Sequence, residues 1–113
     1  MSAHRFALER AGDGSLRASG ELTFETAAEA LAAGERLLAS DDDAHIDLSR
    51  VREGDSAGLA VLVEWLAGQL ARGGRLAFAD MPAQMLSIAR ICGLEELLLS
   101  DPRPAAAGDT PQP

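Results

Sequence analysis

The 113-residue chain contains no lysine: all ten of its Lys-plus-Arg side chains are arginines. Without lysine there is no P-loop, no Schiff-base centre and no phosphate-binding lysine of a protein kinase, so several enzyme classes fall away at once. Cys92 is the one cysteine. It excludes a disulfide within the chain and a cysteine-based zinc site, and it suits a reducing compartment. No apolar run reaches membrane-spanning length, and the N-terminus lacks the basic, apolar, cleavable pattern of a secretion signal. A soluble cytoplasmic protein is the expectation. Positive charge is also scarce: the net charge is −8 and no basic stripe is present. Nucleic-acid binding rests on neutralising phosphates and is disfavoured here. The same argument disfavours direct docking on an anionic membrane surface.

What is present is a globular composition, 47% apolar, in a chain long enough for one core and too short for two. Phe6-Ala7-Leu8-Glu9 and Ser15-Leu16-Arg17-Ala18-Ser19 flank Gly12-Asp13-Gly14, which predicts a β-hairpin, with Gly20-Glu21-Leu22 leaving the second strand. Thr23 or Thr26 then caps a helix, and Thr26-Ala27-Ala28-Glu29 fits a capping box. Ala27, Leu31, Gly34 and Leu38 recur at helical spacing. Asp41-Asp42-Asp43 is a solvated loop in preference to a cation site, because no spaced ligand set accompanies it.

A buried strand follows through His45-Ile46-Asp47-Leu48, then a loop containing Arg52-Glu53-Gly54, then an apolar helix from Ala57 to Ala71. Leu59, Val63, Leu66 and Leu70 form one face of that helix, yet Val61, Leu62 and Trp65 lie on other sides. A helix apolar nearly all round is either fully buried or shared with a partner, and Trp65 is accordingly core or interface anchor. Arg75–Ala79 reads as the next strand. Pro82 opens a third helix, Gly93 caps its end, and Met81 and Met85 read as core in preference to a soft metal pair. Glu95–Leu99 is a short strand or helix. The pattern predicts a single α/β domain over residues 1–100, with a mixed sheet of four or five strands covered by helices. Residues 101–113, rich in Pro, Ala and Gly, are expected to be a disordered tail.

Catalytic equipment is missing from this pattern. Ser56 is a serine at a turn before a helix, but it lacks the Gly-x-Ser-x-Gly elbow. His4 lies in a fraying terminus and His45 in a strand, so neither serves it as a base. Asp47 and Asp55 read as strand-end caps and loop ligands more readily than as paired carboxylates. The expectation is a non-enzyme without cofactor or metal. Ser56 admits three readings: helix N-cap, phosphoacceptor, or a small hydrogen-bonding contact in a permanent interface.

Ile46-Asp47-Leu48-Ser49-Arg50-Val51 followed by Asp55-Ser56-Ala57-Gly58-Leu59-Ala60 resembles the STAS domain family, and within it the MlaB-like subunits. Gly20-Glu21-Leu22-Thr23-Phe24 and Ala89-Arg90-Ile91 with Gly93-Leu94 are similar to the same group. The resemblance spans about Phe6 to Leu99. It implies an accessory subunit on the cytoplasmic side of the inner membrane that binds and stabilises or regulates the ATPase of an Mla-type phospholipid-transport ABC complex. Such a subunit supports outer-membrane lipid asymmetry, meets the permease only indirectly, and binds no lipid or nucleic acid itself. The expected contact is Asp55, Ser56, Ala57, Gly58, Val61, Leu62 and Trp65. The alternative within the family is an anti-sigma factor antagonist, in which the serine at the position of Ser56 is the phosphoacceptor of an anti-sigma kinase.

Overall fold

Two stretches of alternating apolar and polar residues open the fold as strands β1 (Phe6–Arg10) and β2 (Leu16–Leu22), paired antiparallel from Phe6↔Gly20 to Arg10↔Leu16. The structure of the protein, a computed structural model, describes residues 5–99. His4 and the expected tail at 101–113 lie outside the described residues. The hairpin turn is closed by the Ala11 N–H donating to the Ser15 carbonyl at 2.7 Å. The Asp13 carboxylate accepts from the Ser15 hydroxyl (2.6 Å) and N–H (3.0 Å), and these bonds hold its pKa below the usual carboxylate value. Gly20-Glu21-Leu22, which the local pattern places beyond the strand, belongs to β2, because it pairs with a strand thirty residues on (Gly20↔Val51, Leu22↔Gly54).

Helix α1 (Ala27–Leu38) leads to β3 (Asp43–Gly54), α2 (Ser56–Ala71), β4 (Arg75–Ala79), α3 (Ala83–Ile91) and α4 (Glu95–Leu99). The sheet has four strands in the order β1-β2-β3-β4, with β2, β3 and β4 parallel. The last element, open between strand and helix in the sequence, is helical. Gly93 takes the positive φ (74°) that glycine tolerates best just past α3, and the Leu94 N–H donates back to the Ala89 carbonyl at 2.7 Å. The capping box at Thr26 does not form. The Thr26 hydroxyl instead donates to the Glu21 carbonyl (2.9 Å) and accepts from the Thr23 N–H (3.0 Å), tying the loop before α1 to β2.

Strand β3 is longer than its hydrophobic pattern indicates, because its Arg52-Glu53-Gly54 end pairs with β2 where a loop was expected. The pairing jumps from Arg17↔Asp47 to Ser19↔Arg50, so β3 carries an extra residue there. The Asp47 carboxylate accepts from the Ser49 N–H at 2.9 Å inside this bulge, and Arg17 lies across the strands at 3.8 Å. Hydrogen bonding to the Ser49 backbone, then to its side chain, lowers the Asp47 pKa, with Arg17 and Arg50 adding to the effect. The Asp-Leu-Ser-Arg-Val run thus specifies a bulge.

Helices cover one face of the sheet, where Leu16, Ala18, Leu22, Ile46, Leu48, Leu76 and Phe78 are buried. Exposed Glu9, Arg17 and His45 point the other way. Helix α2 packs on α1, α3, α4 and the sheet, which is how a domain this small buries a helix apolar on several sides. Trp65 is core: it is 2% exposed, its indole N–H donates to the Ala30 carbonyl at 3.2 Å, and its ring lies 6.3 Å from that of Phe6. Its indole occupies the space a Cβ on Gly34 would need. Met85 is buried and Met81 packs beside the core. Buried Gln69 donates to the carbonyls of Asp41 (2.7 Å) and Arg75 (3.2 Å), tying the adjacent starts of β3 and β4 to α2. No helix among the described residues is long and apolar enough to cross a membrane.

Candidate protein-binding site

Strands β2 and β3 end side by side at Leu22 and Gly54, and the chain leaves them into the α1 loop and into α2. Asp55 joins these two exits. It is extended (φ −134°, ψ −169°); one carboxylate oxygen accepts from the Gly58 N–H at 3.0 Å and the other from the Phe24 N–H at 3.2 Å. Its own N–H donates to the Leu22 carbonyl at 3.3 Å. The N-cap of α2 is therefore Asp55, and the N-cap reading of Ser56 is overturned: Ser56 is the first helical residue and is exposed. Gly58 lets the helix start this close to β2, since a Cβ at that position would collide with the Leu22 carbonyl.

The expected contact residues fall into two groups. Ser56 is exposed, and Asp55 and Ala57 are half-buried. Gly58, Val61, Leu62 and Trp65 are buried inside the domain and are not surface residues of the described chain. The reason is that α1 and α3 flank α2 and take up the sides that the sequence left unpartnered. What α2 presents to solvent is one stripe of Ser56, Ala60, Glu64, Ala67, Leu70 and Ala71; Leu70, which its spacing groups with Leu59, Val63 and Leu66, is 52% exposed. Next to its start, the strand ends and loop form a shallow hollow of about 420 Å³ lined by Glu21, Thr23, Phe24, Glu25, Glu53 and Asp55. Phe24 was not singled out in the sequence. A lone aromatic in a short strand-to-helix connection has no periodicity that would separate buried from exposed.

Among the described residues the one histidine, His45, is far from Ser56. His45 sits near the start of β3 and Ser56 just past its end, roughly 30 Å apart at the usual strand rise. Asp47 and Asp55 are separated by most of that same strand, so they do not act as a carboxylate pair. Among the described residues no three His, Cys, Asp or Glu side chains are grouped to hold a metal ion. What the site offers is an exposed hydroxyl at a helix start, set in a rigid, acidic, partly apolar surface.

The sequence profile described as "Mlab, STAS domain" matches residues 6–100. No curated protein matches the chain in sequence. Among solved structures, TM1081 of Thermotoga maritima, described as a candidate anti-sigma factor antagonist, superposes with a TM-score of 0.67 at 21% identity, covering 85% of each chain. The anti-sigma factor antagonist SpoIIAA in its unphosphorylated form gives 0.58 at 17% identity, covering 76% of this chain and 82% of that one. The Bacillus cell fate determinant SpoIIAA in its phosphorylated form gives 0.62 at 17%, covering 83% and 88%. These likenesses establish the shared fold.

Proposed function

The chain belongs to the MlaB-type STAS domain family, and from that membership we propose that it is a non-catalytic accessory subunit binding the ATPase of an Mla-type phospholipid-transport ABC complex. In this reading it is cytoplasmic, peripheral to the inner membrane through its partner, and supports outer-membrane lipid asymmetry without touching lipid. The observation that supports a protein-binding role is the exposed start of α2: Ser56 and Ala60 are open to solvent, and Asp55 ties this helix start to the loop that carries exposed Phe24. We assign direct contact to Ser56, Ala57 and Ala60. Asp55, Gly58, Val61, Leu62 and Trp65 act from beneath, by holding that surface in place. The anti-sigma factor antagonist reading, with Ser56 as phosphoacceptor, is favoured by one observation of its own. The Ser56 hydroxyl is exposed where a kinase can reach it, in a fold shared with a protein solved in phosphorylated and unphosphorylated forms.

The test is purification of the tagged chain from its own cells in mild detergent, with identification of what accompanies it. An ABC ATPase with its permease supports the first reading; a soluble anti-sigma kinase, together with a resident phosphate on Ser56, replaces it with the second. Ser56→Asp sharpens the result. Aspartate in the first turn is favourable to the helix by about 0.3–1 kcal/mol, so folding is unharmed, while a new charge beside Asp55 and Glu53 inside an interface costs affinity. Assembly is expected to weaken at least about tenfold with a melting temperature no lower than that of wild type. Unchanged assembly would remove Ser56 from the contact.

A further inference from the structure

Of the four aromatic side chains, Phe6, Trp65 and Phe78 are buried and Phe24 is 80% exposed. Its main chain is not loose. The Phe24 N–H is bonded to Asp55 and its carbonyl accepts from the Ala27 N–H at 3.5 Å. A large apolar ring held out in water on a fixed backbone is the form of a binding anchor, because little ordering entropy is lost when it docks. The hollow beside it is lined by carboxylates and by no arginine. Asp55 uses both of its oxygens on backbone N–H groups, and Glu25 reaches Arg5 at 3.2 Å. Glu21 and Glu53 are direct partners across the β2–β3 register and have no ion-pair partner among the described residues. Like charges opposite one another in a sheet repel, and a cation placed between them relieves that repulsion.

We propose that Phe24 and the Glu21–Glu53 pair form the docking point for a protein partner that brings an arginine. The guanidinium pairs with the two carboxylates and lies over the Phe24 ring, and an apolar surface around it covers the rest of the ring. A second copy of this chain is a poor occupant, because each copy carries a net charge of −8 and an acidic hollow would face another. Anionic nucleic acid and lipid are excluded by the same sign. The inference rests on the protein-binding reading above and names the chemistry its partner must supply.

The experiment measures, by calorimetry at low and high salt, the affinity of the purified chain for the ABC ATPase subunit of its own cells, and for an anti-sigma kinase if the ATPase does not bind. Phe24→Ala is expected to lower affinity about thirtyfold. Glu21→Gln combined with Glu53→Gln is expected to lower it about tenfold and to flatten its salt dependence. Both variants sit at the surface, and unchanged thermal unfolding separates lost docking from lost folding. Wild-type binding to the ATPase with both variants within about twofold of it overturns this inference and leaves the proposed function standing. Binding to the kinase alone, sensitive to both variants, overturns the transporter role and upholds the docking point. Binding to neither overturns both. A self-associated chain that Phe24→Ala converts to monomer overturns the arginine-bearing partner.

Discussion

Asp55→Ala measured against Ser56→Ala tests the arrangement at the start of α2. The two residues are neighbours, and the sequence pattern alone gives the cap to the serine. In the structure the Asp55 carboxylate satisfies the Gly58 N–H inside the first turn, at a half-buried position, and the Phe24 N–H in the adjoining loop. Loss of the cap costs about 1 kcal/mol. The second bond is exposed and replaceable by water, which puts it at the low end, about 0.5 kcal/mol. Removing a negative charge from the helix N-terminus acts in the same direction. Asp55→Ala should therefore destabilise by about 1.5 kcal/mol, which for a domain of this size lowers the melting temperature by about 6–12 °C. The urea midpoint falls by about 0.5–1.5 M at unchanged slope. Ser56→Ala replaces an exposed first-turn residue by the best helix former and should stay within about 0.5 kcal/mol of wild type. Asp55→Asn keeps the acceptor and should fall between the two. If Ser56→Ala costs 1 kcal/mol or more while Asp55→Ala is neutral, the capping assignment is wrong.

Gly58→Ala adds about 1 kcal/mol of helix propensity but drives a Cβ into the Leu22 carbonyl; a net loss of about 1–3 kcal/mol is expected in urea unfolding, and equal or greater stability would show that β2 and α2 are not locked together there. Asp47 has a folded pKa held below its unfolded value, first by the Ser49 backbone bond. Its contribution is thus present above about pH 4 and is lost as pH falls through the folded value. Wild type should exceed Asp47→Asn in stability at neutral pH, with the gap closing on acidification; a gap that widens would refute the Ser49 and Arg17 contacts.

The hydrophobic periodicity of α1, α2 and α3, the Gly-Asp-Gly turn and the short apolar run of β4 are local signals, and each appears where the sequence places it. Less was legible where a residue's state depends on a distant neighbour. Gly20-Glu21-Leu22 is strand only because β3 runs beside it, and Arg52-Glu53-Gly54 is strand for the reciprocal reason. The Thr26 hydroxyl turns back to the Glu21 carbonyl at the end of β2 instead of capping its own helix, and that carbonyl is placed by the β2–β3 pairing. At the candidate site the run Asp55-Ser56-x-Gly58 was visible, but not which of its members faces water.

The sequence by itself determined the α/β alternation, the family, and the absence of lysine-dependent chemistry and of a disulfide within the chain, because composition, motifs and local periodicity carry these directly. Only the tertiary structure decided that Trp65, Leu62 and Val61 are core, that Asp55 and not Ser56 caps α2, and that Phe24 stands exposed. Those outcomes depend on which faces α1, α3 and the sheet cover. A helix apolar on every side gives no internal indication of which side its own domain will bury.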